Sequence, residues 1–375
     1  MKNILKILVL IGFAAVLITP LIQLQFRFLA EDPVLENRKL SNKPPLSSSA
    51  AFSSYPQDFV TWYNDHFGFR GLFIKIKNQI DFSIFGISSR IHIGKDGWLF
   101  YRSVLDIEKP SIDSSLKTLR PEVVKGVANL AIELNKRGVR LIVLIAPMKD
   151  VFYENYLPLT VKRLPKPSQI NLLNDDLLKI SNLVLVNSKE ILSPVASERN
   201  VFHKTDFHWN DAAAFEINKS VVNRLGILEG KGPRLWNHDL KIEKRAESGG
   251  EAMFMPLFFP IREEALYVQK TWQDDLRVTN TKIFPFVTQE RSNFSKNADL
   301  LKPVLMIGDS FLDGMIRAGL DSYFKKTYQT NWNEVDIKTL LENIPKDVEY
   351  VLMEFIEVSH NPLNQLAKLS STEGR

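Results

Sequence analysis

A run of twenty residues without a charge, Ile7 to Phe26, constrains this chain more than any other feature of its sequence. It is mostly Leu, Ile, Val and Ala, with Lys2 and Lys6 before it and Arg27 after it. About 20 apolar residues cross the hydrocarbon core of a bilayer as one helix, whereas a helix on the core of a soluble domain keeps a polar face. A cleaved secretion signal would have a shorter apolar stretch and a small-x-small site just beyond it, and Phe26-Arg27-Phe28-Leu29-Ala30 offers none. The sequence therefore predicts an uncleaved membrane anchor over residues 1–29. Two lysines before the span against one arginine after it put the N-terminus in the cytoplasm and the rest of the chain outside, which in a bacterium is the periplasm at the inner membrane.

At 375 residues, 45% hydrophobic and 24% charged, the chain has room for one large or two ordinary domains with buried cores. This composition excludes a disordered chain, a collagen and a multi-span membrane protein. Lys2, Lys6 and Arg27 carry three of the five net positive charges, so the remainder has no basic face suited to nucleic acid. There is no cysteine, which excludes thiol nucleophiles, disulfides and thiolate metal sites together.

Residues 30–55, including Pro44-Pro45-Leu46-Ser47-Ser48-Ser49, read as a tether, and residues 56–375 as the folded domain. Phe59 to Phe69 carries aromatics at helical spacing, and Gly94 to Tyr101 is a Gly-bounded turn running into an apolar strand. Pro121 to Lys136 reads as a helix with Pro in its first turn and a stop at Gly138. Val139 to Ala146 is a continuous apolar run of the kind covered on both faces. A helix over 169–180, a strand over 183–186, a helix after Asn210, and buried strands at 304–307 and 350–355 follow. Strands alternating with helices predict an α/β fold with a mostly parallel sheet flanked by helices. The stretch from about 228 to 297 has no clear pattern.

Two segments carry chemistry. In Lys204-Thr205-Asp206-Phe207-His208-Trp209-Asn210, a tight turn would let the Asp206 carboxylate reach the His208 imidazole and fix its tautomer, and Asn210 would cap the next helix. Taken alone, such a pair is more often a surface or capping arrangement. In Val304-Leu305-Met306-Ile307-Gly308-Asp309-Ser310-Phe311, a buried strand runs through Gly308 into Ser310 and a helix. That context presents a nucleophilic serine at the carboxyl edge of a sheet, its own N–H helping to hold an oxyanion. A plain turn with Ser310 capping a helix is the alternative. The coincidence of a nucleophile, a base and a base-orienter at loop positions of one sheet favours the catalytic reading.

With these boxes, the chain resembles the SGNH-hydrolase-like alginate O-acetyltransferase family of the AlgX and AlgJ type. The likeness extends to Glu36-Asn37-Arg38, Asp65-His66-Phe67-Gly68-Phe69-Arg70, Gly94-Lys95-Asp96-Gly97-Trp98-Leu99-Phe100-Tyr101, and Pro147-Met148-Lys149 with Tyr153. It implies an SGNH-hydrolase-like domain in which Ser310 is the nucleophile, His208 the general base and Asp206 its partner. It also implies a polysaccharide acceptor such as alginate, and a membrane-bound O-acyltransferase that passes acetyl across the membrane. About twenty residues follow the last expected strand, so the resemblance is to the catalytic domain alone, without a carbohydrate-binding domain.

Asn331 and Asn333 are candidates for the remaining oxyanion or substrate contacts. Arg70 and Lys149 are candidates for binding an anionic polymer, with a solvated charge as the plainer reading. Trp98, Phe100 and Tyr101 read as core rather than as a sugar platform. His203, Asp206, His208 and His238 match no zinc spacing, so neither a metal nor another cofactor is expected. Phe254 to Phe259 reads as a membrane-near loop, a lid or core. The same triad would serve a carbohydrate acetyl-esterase, and a non-catalytic scaffold of a polysaccharide-modifying complex is the reading from outside enzymology.

Overall fold

A computed structural model describes residues 2–30, 39–45, 55–232, 240–271, 275–283, 286–295 and 300–371. Glu36-Asn37-Arg38, most of the expected tether, Ser47 to Ser49 and His238 lie outside the described residues. The chain forms two compact units, Met1–Ser89 with Ala252–Ile261, and Arg90–Glu251 with Arg262–Arg375.

The first unit is helical. Helix α1 (Lys2–Phe26) contains the apolar run, and its segment Ile4–Phe26 is long and apolar enough to cross a membrane. Helices α2 (Tyr55–His66) and α3 (Arg70–Ile80) follow, with a wider helical turn, Asp81–Phe85, continuing α3. The aromatic spacing over 59–69 does form a helix, but it stops at His66 and restarts at Arg70, because Phe69 takes a left-handed φ of 62°. Asp65, buried at the end of α2, accepts bonds from the backbone N and the Oγ of Ser41, both at 2.8 Å.

The second unit is an α/β domain. Its early elements are β1 (Ile91–Ile93), β2 (Leu99–Tyr101), α4 (Lys109–Lys136), β3 (Arg140–Ala146), α5 (Gln169–Leu177), β4 (Leu183–Val186), α6 (Ser188–Glu198) and α7 (Asp211–Leu228). Next come β5 (Leu240–Glu247), the short α8 (Gly250–Met253) across the unit boundary, β6 (Glu263–Lys270), β7 (Leu276–Ile283) and β8 (Phe286–Asn293). The domain ends with β9 (Val304–Gly308), α9 (Ser310–Arg317), β10 (Lys326–Asn331), α10 (Ile337–Glu342), β11 (Tyr350–Ile356) and α11 (His360–Lys368).

Among the described residues the main sheet has seven strands in the order β4-β3-β11-β9-β10-β8-β7. The first five are mutually parallel, as the alternation of apolar strands and helices predicts. Strands β8 and β7 add an antiparallel edge, and β5 and β6 form a separate hairpin. These four strands all lie in the stretch that has no clear pattern in the sequence. β5 is polar on both faces over Lys241-Ile242-Glu243-Lys244-Arg245-Ala246-Glu247, and only β6 has a short apolar run, Ala265-Leu266-Tyr267-Val268.

Successive strand residues point to opposite faces of the sheet, and the core divides accordingly. Ile142, Leu144, Met306 and Leu352 pack with Ile217, Val221 and Leu225 of α7 on one face. Leu141, Val143, Leu305, Val351 and Met353 pack with Val127, Leu130 and Leu134 of α4 and Leu363 and Leu366 of α11 on the other. Helix α4 starts twelve residues before Pro121 rather than at it. An interior proline costs about 3 kcal/mol of helix stability, but buried Ile112 and Leu116 extend the apolar stripe upstream and packing prevails. Its C-terminus matches the expectation: Gly138, at φ 75°, donates to Asn135 O and Val139 donates to Leu134 O.

Candidate active site

Strand β9 delivers Ser310 to the carboxyl edge of the parallel sheet. Asp309 caps α9 by accepting from the Phe311 N–H at 2.9 Å, and its other oxygen accepts from Ile356 N at 3.0 Å. Gly308 is needed for close approach, since a Cβ there would fall on Leu312 and lie 2.9 Å from Glu354 Oε2. Ser310 is exposed and is the first residue of α9. Its N–H is therefore among the first-turn donors that a helix leaves without an intrahelical acceptor.

The partner loop lies before α7. A bridge between Phe202 and Trp209, with bonds from His203 N to His208 O and from Asn210 N to Val201 O, folds it into a narrow hairpin. Asn210 caps α7 through Ala213 N at 2.9 Å, as its residue type predicts. At the tip, Asp206 Oδ1 meets His208 Nδ1 at 2.6 Å and also accepts from His208 N at 3.0 Å. His208 Nε2 lies 2.7 Å from Ser310 Oγ. Trp209 ties the two segments together, its indole Nε1 donating to Phe311 O at 3.2 Å. The three residues expected to act together are thus joined in one line, across 102 residues of sequence.

Burial by itself pushes the Asp206 carboxyl up, but the His208 side chain and the N–H groups of His208 and Gly250 outweigh it and hold the carboxyl well below the usual carboxylate range. Asp206 is therefore a carboxylate, the form that accepts a proton-bearing Nδ1 and leaves Nε2 to act on Ser310. His203 is buried, which pulls its pKa down, and its ring centroid lies 6.1 Å from that of Tyr267. No group of three or more His, Asp or Glu side chains among the described residues could hold a metal ion.

A buried framework supports the Asp206 loop. Glu263 accepts from Lys204 N at 2.7 Å, Thr205 N at 2.8 Å and Thr205 Oγ1 at 2.6 Å. Gly250 N donates to Asp206 Oδ2 at 2.7 Å, and a Cβ on Gly249 would lie 2.6 Å from that of Asp206. Lys149 corrects the sequence reading: it is neither solvated nor open to a polymer. It is buried, paired with the buried Glu251, and donates to the carbonyls of Asp206 and Lys204. Burial pushes the Glu251 carboxyl up to about 7 against the pull of the Lys149 ammonium. Behind Ser310, Glu354 is fully buried, and its Oε2 accepts from Asp309 N at 3.0 Å. Burial, then the adjacent Asp309 carboxyl, raises its pKa well above the usual range.

The other expected residues separate. Asn331 stands at the end of β10 in register with Gly308, and its Oδ1 accepts from Asn333 N at 2.9 Å. Asn333 is exposed on the following turn. Arg70 belongs to the first unit, where its Nε donates to Asn64 O at 2.7 Å. Trp98 and Phe100 are core, as their apolar strand predicts, and Trp98 stacks on Tyr153 at 3.8 Å. Glu251, Glu263 and Glu354 escaped the sequence reading. The doublet Gly249-Gly250 and an acid inside the apolar run of β11 were the signals that could have found two of them.

Comparison with known proteins gives the family of this chain. Residues 91–312 match the family model described as SGNH hydrolase-like domain, acetyltransferase AlgX. Over 172 residues the chain is 27% identical to the probable alginate O-acetylase AlgJ of Pseudomonas aeruginosa, which covers 45% of this chain and 40% of that protein. The chain thus spans about two fifths of that relative's length. Bacillus cereus PatB1 with a sulfonyl adduct shares the fold at 15% identity and a TM-score of 0.52, over 73% of this chain and 97% of that one. The O-acetyltransferase domain of Pseudomonas putida AlgJ is 16% identical over 76% of this chain and 99% of that one, at a TM-score of 0.49. With more than half of its length matched by the family model, this chain belongs to the SGNH-hydrolase-like acetyltransferase family of AlgX.

Proposed function

We propose that the protein is an O-acetyltransferase that moves acetyl through an acyl-serine onto hydroxyls of an exopolysaccharide such as alginate. The observation that carries this reading is the line from Asp206 Oδ1 through both nitrogens of His208 to Ser310 Oγ, at 2.6 and 2.7 Å. His208 Nε2 takes the Ser310 hydroxyl proton as Oγ attacks the acyl carbon, and then returns that proton to the departing donor group. The resulting acyl-serine is attacked by a sugar hydroxyl whose proton passes to the same Nε2; the ester transfers and Ser310 is regenerated. Asp206 holds the imidazole tautomer throughout, and the Ser310 N–H with the Asn331 amide faces the oxyanion of each tetrahedral intermediate.

The exposed apolar segment Ile4–Phe26 supports a single-pass inner-membrane anchor over residues 1–29, a tether over 30–55 and an acetyltransferase domain from 56 onward on the periplasmic side. Acetyl-CoA does not reach that side, so a membrane-bound O-acyltransferase supplies the acetyl group. The relative named an alginate O-acetylase supports a polysaccharide acceptor.

The test compares the full chain with Ser310→Ala on a small chromogenic acetyl ester, with and without oligosaccharide, reading acetyl on sugar by mass spectrometry. Acetylated sugar that depends on Ser310 supports the proposal. Acetate alone makes the protein an esterase, and equal inertness of two folded proteins refutes the triad.

A further inference from the structure

Helix α3 leaves the exit end of α1. Gly68, just before it, packs so closely on the Pro20 carbonyl and the Gln23 side chain that a Cβ there would collide with both. Phe69 meets Phe28 edge-on, with ring centroids 6.0 Å apart. Gln23 is buried in this corner and closes the turn after α1, donating to Leu29 O at 2.7 Å and accepting from Leu29 N at 3.1 Å. The 23 residues Ile4–Phe26 span about 34 Å, against a hydrocarbon thickness of about 30 Å. The corner from which α3 departs therefore falls at the level where such a span leaves the bilayer.

From that corner the helix presents an apolar stripe to solvent. Leu72, Ile76, Ile80 and Ile84 recur every fourth residue and are all exposed, with Phe73 and Phe85 beside them. Ile84 is 69% exposed. A second segment of the same unit extends the patch. Asn78 Nδ2 donates to Pro256 O at 3.3 Å, and Phe259 N donates to Gln79 Oε1 at 3.2 Å, fixing Phe258 and Phe259 against α3. Phe259 is 78% exposed. Soluble proteins rarely leave so many large aliphatic and aromatic side chains contiguous and in water. An amphipathic helix with Leu, Ile and Phe on one face is the form that lies in a membrane interface.

We propose that α3, its continuation through Phe85 and the Phe258–Phe259 tip form a lipid-facing surface that lies in the outer headgroup region beside the α1 span. The inference rests on the reading of α1 as a membrane anchor. The occupant is lipid because the patch is continuous, through the Gly68 corner, with the span itself. The loop Phe254 to Phe259, for which the sequence leaves three readings open, is on this account the membrane-near one.

The absence of native cysteine makes the test clean. Single variants Leu10→Cys, Ile84→Cys, Phe259→Cys and Leu159→Cys of the full chain, in nanodiscs of phosphatidylethanolamine and phosphatidylglycerol, carry a nitroxide. Its accessibility to oxygen and to a water-soluble nickel chelate is read by electron paramagnetic resonance. All four positions are exposed, Leu159 at 96% in the second unit, so labelling disturbs no packing. The oxygen-to-nickel ratio at residues 84 and 259 is expected to exceed that at 159 several-fold and to approach that at 10. If residue 10 is in lipid but 84 and 259 match 159, the surface proposal is overturned and a protein partner becomes the better occupant. If residue 10 itself matches 159, the anchor reading fails first and the surface with it.

Discussion

The ammonium of Lys149 lies 3.0 Å from the backbone carbonyl oxygen of Asp206. A lysine buried under the sheet edge thus holds the main chain of Asp206, whose carboxylate meets the His208 ring, while its own charge is balanced by Glu251.

Lys149→Met removes that hold and leaves the Glu251 carboxylate buried without its cation. Breaking a buried pair in this way destabilises by about 3–5 kcal/mol. Lys149→Met/Glu251→Leu is expected to recover part of that stability, because no buried charge is left without its partner, although the Tyr101 N–H and the carbonyls of Lys204 and Asp206 lose theirs. The ester turnover of the double variant stays down by roughly tenfold or more, since the Asp206 loop is still unanchored and small misplacements are costly in rate. Thermal melting and ester kinetics on the three proteins separate the two effects; a double variant with wild-type kcat would show that Lys149 is structural only.

Acid destabilises this protein through two groups near the site. The Asp206 pKa is depressed in the fold, so its contribution is present above the unfolded value of 3.8 and lost as pH falls toward the folded one. The His203 pKa is also depressed, by burial, so below 6.5 the unfolded chain binds a proton that the folded chain refuses, and stability falls. Between pH 6.5 and 4.5 the loss of stability is therefore expected to be shallower in His203→Phe than in the wild type. Urea unfolding across that window measures it, and parallel slopes would remove His203 from the account.

Glu354 behaves in the opposite sense. Its pKa is raised in the fold, so its contribution is complete below 4.5 and declines as pH rises toward the folded value. Glu354→Gln keeps an acceptor for Asp309 N and never ionises. At pH 5 it is expected to match the wild type within about 1 kcal/mol, and it gains on the wild type up to pH 8. Glu354→Ala, which leaves a cavity and an orphaned N–H, loses about 2–4 kcal/mol at either pH. Denaturant midpoints at pH 5 and pH 8 decide between them.

Gly126 of α4 sits where a Cβ would fall on the Leu366 carbonyl of α11. An alanine usually helps a helix by about 1 kcal/mol. Here Gly126→Ala is expected to lower the melting temperature, because the two helices must move apart over a packed face. A raised melting temperature would mean that the helices yield at little cost.

What the sequence determined by itself is what its local pattern encodes. The uncharged run of α1, the apolar strands β3, β9 and β11, the Asn210 cap, the Gly138 stop and the two boxes around His208 and Ser310 each reside in a few consecutive residues. Their physical causes act over the same range. The tertiary structure decided whatever depends on a partner distant in sequence. Lys149 looks like a surface charge until Glu251, a hundred residues on, buries beside it. Pro121 looks like a helix start until the sheet face recruits Ile112 and Leu116. Strands β5, β7 and β8 carry too few apolar residues to be seen without the neighbours that pair with them. Glu354 is an anomaly in an apolar strand until Asp309 supplies its bond. Burial is a property of the assembled chain, and it is burial that pushes the Glu251 and Glu354 carboxyls up.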